Sequence, residues 1–229
     1  MIEQLLWMVP LVVVAAGLWV MRGRSPQRSS AVPPYVRALN YLYEDRPDAD
    51  AAIQALADVE QTDAELVEIY LLLGREFRRR GEIERAISAH QNLIARPDLS
   101  SVQRERGLLE LGDDFQGIGW LDRAERLFVE LLDSEQFQAE ALGRLTQIYE
   151  REKEWGKAIE AAERLQTETG RDHSTAIAHY YCELAEEARQ RGDLGRAMRR
   201  AKAALQSSDR SVRASLLLGH LYMEYGQHG

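Results

Sequence analysis

His179 and Cys182 stand three residues apart, with Glu183 beside them and His173 six residues upstream. Imidazole, thiol and carboxylate are the groups that hold transition metals or make a covalent nucleophile with its base. On a helix, a spacing of three puts His179 and Cys182 on one face, so two ligands could converge there. Two ligands do not close a structural zinc site, and no second His or Cys pair lies at a helical spacing. Cys182 is the only cysteine, which rules out an internal disulfide and a Cys-x-x-Cys clamp within these residues and suits a reducing compartment. The chain also has no Gly-rich phosphate loop, Gly-x-Ser-x-Gly elbow or His-Glu-x-x-His pair. Its carboxylates are numerous, and a solvated helix face accounts for them. Enzymatic chemistry therefore has one weak candidate, and the expectation is a protein without catalysis or a bound cofactor.

The elements that would position these residues are repeats. Leu39, Leu73, Leu111, Leu145, Leu184 and Leu218 recur at 34, 38, 34, 39 and 34 residues. Thirteen residues after each of the first five comes an alanine: Ala52, Ala86, Ala124, Ala158 and Ala197. Leu73-Gly74-x-x-Phe77 with Ala86, and Leu111-Gly112-x-x-Phe115 with Ala124-x-x-x-Phe128, carry the pattern of the tetratricopeptide repeat, a helical hairpin that stacks into a solenoid. The expected fold is all-α, a right-handed superhelix of hairpins with repeats at 33–66, 67–100, 105–138, 139–172 and 178–211 and a partial sixth at 212–229. Extra residues fall between repeats. Gly74, Gly112, Ala185 and Gly219 are expected where paired helices touch. Gly81, Gly119, Gly192 and Gly226, seven residues later, are expected to end the first helix of each hairpin. Ser100-x-x-Gln103 and Thr62-x-x-Glu65 read as capping boxes. His90 occupies the slot of Phe128 in the next repeat, so a packed core histidine is expected rather than a catalytic base. The sixth repeat stops after one helix, which suggests a piece of a longer protein.

Leu5 to Met21 runs without a charge and is followed by Arg22, Arg24 and Arg28. A helix of that length covers roughly 25 Å, near the lower limit for a bilayer core. Residues 1–21 are therefore expected to be a transmembrane anchor and 22–32 a basic juxtamembrane linker. A cleaved signal peptide is the competing reading, but Glu3 precedes the apolar run and the arginines follow it. The positive-inside rule then keeps the arginines and repeats in the cytoplasm, with the N-terminus outside. From Arg22 to Tyr43 there are four arginines and no acid, while the whole chain carries −8. The basic neck can lie on phospholipid headgroups, whereas the acidic remainder disfavours nucleic acid.

Anchor, neck and repeats together resemble the lipopolysaccharide assembly protein B family of Gram-negative inner membranes. The likeness rests on the anchor, Gly74-Arg75-Glu76-Phe77-Arg78-Arg79-Arg80-Gly81-Glu82-Ile83-Glu84-Arg85-Ala86-Ile87 with His90-Gln91, and Trp155-Gly156-Lys157-Ala158-Ile159. It extends to Ile177-Ala178-His179-Tyr180-Tyr181-Cys182-Glu183-Leu184-Ala185. The resemblance implies a non-catalytic adaptor that helps a membrane-bound ATP-dependent zinc protease degrade the deacetylase committing precursors to lipid A. It also implies a rubredoxin-like domain with a cysteine-held metal, whose ligands this chain lacks. If the solenoid follows the family, first helices line a groove through Arg37, Tyr41, Arg75, Arg78, Arg79, Asp113, Gln116, Gln147, Glu150, His179, Cys182 and Glu186. That groove should be cationic near the membrane and acidic or polar farther out, with Arg75 to Arg79 open to a client's carboxylates. Two alternatives stay open: a general scaffold for envelope-biogenesis enzymes, and an enzyme using His179 and Cys182. Self-association into a homo-oligomer is likewise open.

Overall fold

The computed structural model describes residues 34–43, 49–57 and 64–228, and their regular structure is entirely helical. Among these described residues eleven α-helices follow one another: α1 Pro34–Tyr43, α2 Ala49–Ala57, α3 Ala64–Arg79, α4 Ile83–Ile94, α5 Ser101–Gly117 and α6 Leu121–Glu130, then α7 Gln138–Glu152, α8 Trp155–Thr169, α9 Ser174–Gln190, α10 Leu194–Ser207 and α11 Val212–His228. A 3-10 turn, Leu131–Asp133, extends α6. Each odd-numbered helix packs on the even-numbered one after it, and from α4 onward each even-numbered helix packs on the next odd one, while α2 meets the second hairpin through α4, which is a tetratricopeptide-like solenoid. The expected anchor, the basic linker and the Thr62 cap lie outside the described residues. Among the described residues no helix is long and apolar enough to cross a membrane.

Small residues set the spacing within the stack. Ala52, Ala86, Ala124, Ala158 and Ala197 are all wholly buried. Gly74 lies against the His90 ring and Gly112 against Phe128, so a single methyl at either would overlap an aromatic ring of the paired helix. Gly219 differs, because nothing stands within 4 Å of where its side chain would be.

The first helices end where a left-handed residue reverses the chain. Gly81, Gly119 and Gly192 all take φ +80°. The fourth hairpin uses Lys153 at the same place, with φ 59°, and so accepts a conformation that costs an L-residue about 1 kcal/mol. Gly226 does not end its helix, since α11 runs on to His228. The extra residues expected between repeats are helical too. α5 begins at Ser101 and α9 at Ser174, each adding a turn ahead of its repeat. For α5 the reason is the cap: Ser100 Oγ accepts from the Gln103 N–H at 3.3 Å, and the Gln103 side chain accepts from the Ser100 N–H at 3.0 Å.

Replacing Gly112 with Ala should destabilise the fold by ~1–3 kcal/mol, because Phe128 must leave its rotamer. Gly219→Ala should leave stability unchanged or raise it by up to ~1 kcal/mol. Equilibrium denaturant unfolding of the two variants measures both.

Candidate functional site

On successive first helices, several polar residues reach across to the neighbouring repeat. The strongest crossing joins α3, α4 and α5. Arg78 on α3 donates to Glu110 Oε2 at 2.5 Å, to the Glu110 carbonyl at 3.1 Å and to Asp114 Oδ1 at 2.6 Å. The other oxygen of Asp114 lies 2.5 Å from His90 Nδ1 on α4. Asp114 and His90 are both wholly buried, and this carboxylate is what satisfies the imidazole. With Nδ1–H directed at Asp114, the unpartnered Nε2 faces Gly74. His90 is thus the packed histidine expected, though it is joined to a buried ionic network rather than to apolar neighbours alone.

This network changes the expected cationic patch. Arg78 is committed to Glu110 and Asp114, and Arg75 donates to the Leu71 carbonyl at 3.2 Å with Glu110 3.7 Å away. Arg79 and Arg80 both grip Glu76, and those hydrogen bonds pull its carboxyl down to about 2. The arginines of α3 are therefore neutralised by acids of the same chain. On α1, Arg37 is exposed and Tyr41 packs partly into the core.

Farther along, Arg144 of α7 forks onto Asp113 of α5 at 2.6 and 3.1 Å. The Gln116 amide donates to Gln147 at 3.2 Å, and Arg151 reaches the Gln116 carbonyl at 3.4 Å. The Tyr180 hydroxyl donates to Glu150. Arg213 of α11 donates to His179 Nδ1 at 2.7 Å and pairs with Glu183 at 2.7 Å, while Arg189 joins Glu186 at 2.5 Å to Glu224 at 3.7 Å. Because arginine only donates, His179 Nδ1 must offer a lone pair to Arg213. Leu72, Leu216 and Met223 remain exposed beside these pairs. The result is a polar surface with its charges matched internally, interrupted by apolar side chains.

Cys182 does not line this face. It is wholly buried among Ala178, Ala204 and Ala214, and burial pushes its thiol pKa up. The phase put it beside His179, but the start of α11 covers it. Imidazole and thiol are therefore separated, one in solvent and one in the core, which removes the paired-ligand reading.

No protein-family model matches the chain. Curated proteins do match. Lipopolysaccharide assembly protein B of Escherichia coli (strain K12) is 37% identical over 235 residues, covering 100% of this chain and 59% of that protein. Its Haemophilus influenzae counterpart is 33% identical over 242 residues, covering 100% and 60%. The whole chain is related to lipopolysaccharide assembly protein B. It spans about three fifths of the length of those relatives. Among solved structures, MamA aligns at TM-score 0.46 and 22% identity, covering 70% of this chain and 82% of its own. A tetratricopeptide repeat protein from Parabacteroides merdae ATCC 43184 aligns at TM-score 0.46 and 16% identity, covering 84% and 74%. At those scores the fold rests on the helix order itself. The metal that the lipopolysaccharide assembly protein B resemblance implies does not fit these residues: the single thiol is buried, and among the described residues no three His, Cys, Asp or Glu side chains gather around a common point.

Sequence reading missed Asp114, Glu110 and Arg213, which complete the contacts of Arg78, His90 and His179. It also missed Trp120, exposed at the α5–α6 turn under the Arg123 guanidinium at 4.4 Å and lining a shallow hollow of about 540 Å³ with Glu152. Asp114 did leave a signal, a carboxylate at a core-facing position of its repeat. Arg213 left none, because charge in a sequence does not reveal its partner.

Asp114→Ala strands the His90 N–H and half-buried Arg78, so it should cost ~3–5 kcal/mol in denaturant unfolding, while Arg79→Ala at the exposed end of the helix should cost almost nothing. Alkaline stability gives a second check. Burial, with the Glu150 and Glu125 carboxylates as neighbours, raises the pKa values of the Tyr180 and Tyr149 hydroxyls. A raised folded pKa adds stability that is complete below the ordinary tyrosine value of about 10 and is lost as pH rises from there through the raised folded value. The denaturation midpoint should therefore fall above that pH, and Tyr149→Phe with Tyr180→Phe should flatten the fall.

Proposed function

We propose that this chain is the repeat-bearing part of a membrane-tethered, non-catalytic adaptor in lipopolysaccharide biosynthesis. Its work is to hold a deacetylase of the lipid A pathway and present it to a membrane-bound ATP-dependent zinc protease for degradation. The observation that carries the reading is the sequence relation to lipopolysaccharide assembly protein B along the entire chain. The name of that relative speaks of assembly, which agrees with envelope association and with a docking role rather than bond chemistry. An apolar run at Leu5 to Met21 followed by arginines supports a single inner-membrane pass, with the N-terminus periplasmic and the repeats cytoplasmic.

The geometry adds a mechanism to that role. A stack of hairpins presents a long surface whose shape is set by packing between neighbours, so little order is lost when a client binds. Since the arginines of α3, α7 and α11 on the first-helix face are already paired within the chain, client recognition draws on Gln116, Gln147 and exposed leucines more than on a free arginine cluster. The cofactor of the whole protein, a metal held by a rubredoxin-like domain, would lie outside this chain.

Removing the gene should lengthen the deacetylase half-life severalfold in a pulse-chase, and restoring the full-length protein should shorten it again. An unchanged half-life would instead support a general scaffold that gathers envelope enzymes without feeding a protease.

A further inference from the structure

Acids outnumber cations in this chain by 37 to 29, several arginines of the first helices are paired with them, and the exposed Arg126 and Arg164 share their helices with acids. α10 departs from that economy. It carries Arg196, Arg199, Arg200 and Lys202, contains no acid, and none of the four makes an ion pair among the described residues. Ala197, Ala201 and Ala204 are wholly buried on one side of the helix. At 3.6 residues per turn Arg199 points roughly opposite them, with Arg196 and Lys202 flanking it. Every charge on the outward side of this helix is thus positive.

The surroundings keep it so. Asp193 is spent on capping the helix, accepting from the Arg196 N–H at 2.7 Å. Glu187 is held by Arg191 at 3.3 Å, and Asp209 is exposed beyond the helix end. Two of the cations lie over tyrosine rings: Arg200 is 6.0 Å from the centre of Tyr181, and Lys202 is 5.7 Å from that of Tyr222. Ring stacking steadies the long side chains without cancelling their charge.

We propose that the outward face of α10 docks the solenoid on an anionic lipid bilayer. Three observations favour lipid over an acidic protein. The cations are spread along ~9 Å of a single outer helix rather than gathered in a cleft, which suits a plane of phosphates. Tyr222 is half-exposed beside Lys202, and a tyrosine next to a lysine is a pairing at home among headgroups. The same chain contains a long uncharged run followed by arginines, and membrane attachment strengthens when a basic surface joins an apolar segment. The rest of the repeats, being acidic, are repelled by that bilayer, so α10 decides which side of the solenoid turns toward it. This inference goes beyond the adaptor reading and does not need it.

The test reconstitutes the full chain in vesicles of phosphatidylcholine alone or mixed with phosphatidylglycerol, and measures arginine modification by phenylglyoxal with peptide mass spectrometry. Arg196 and Arg199 should react at least about threefold more slowly in the anionic vesicles, and high salt should remove the protection. Arg126 and Arg164, exposed on other helices, should react equally in both. In a variant with Arg196→Glu and Arg199→Glu, acylation of the Lys202 amine should return to its rate in neutral vesicles. Equal arginine reactivity in the two vesicles overturns the proposal. So does protection that appears only when polyglutamate is added, which would mark an acidic protein as the partner.

Discussion

A two-helix hairpin has more apolar surface than it can cover by itself, and everything in this chain follows from that shortage. Each hairpin lends a face to the next, so the buried alanines and the glycines at positions 74 and 112 matter because they bring the helices close enough to seal the join. Once the stack forms, polar residues on successive first helices come to lie side by side. They then either pair or remain charged in partial burial. Arg78 with Glu110 and Asp114, Arg144 with Asp113, and Arg213 with Glu183 are the outcomes of pairing.

That pairing bears on how the surface can recognise another protein. A free cluster of arginines would attract any acidic neighbour over a Debye length. A surface whose charges are already matched loses long-range attraction and selects by short-range fit: amides, exposed leucines and shape. Under the proposed adaptor reading, specificity of that kind would let the solenoid tell one client from many acidic proteins. Under the membrane-docking proposal, the acid-free run of cations on α10, a second helix of its hairpin, would keep attraction to a surface apart from discrimination of a client on the first helices.

Much of the framework could be read from residues alone. The leucine and alanine spacing located the hairpins, because packing constrains those positions in every repeat, and Ser100 with Gln103 announced a helix start through its own chemistry. Helix ends were less legible. Gly226 looked like its three predecessors but lies within α11, and the repeat bounds left residues 101–104 between repeats although the helix announced by Ser100 takes them in as the first turn of α5. The face itself was legible only in outline. Repeat phase put Arg78 and Asp113 on it, yet their partners lie 31 to 36 residues away and depend on how one hairpin sits on the next. Cys182 was misplaced because the stack covers a wider band of each first helix than one stripe, and a small thiol fits that covered band.

The apolar interior is divided. One cluster runs from Ala38 to Leu93 and a second from Leu108 to Tyr180, and the His90–Asp114–Arg78 network spans the boundary between them. Greasy contacts tolerate sliding, whereas directional bonds to a buried carboxylate fail once their atoms move apart. The seam between α4 and α5 therefore acts as a latch: it fixes the rotation of the second hairpin against the third, and under tension along the solenoid axis it would give way abruptly rather than stretch.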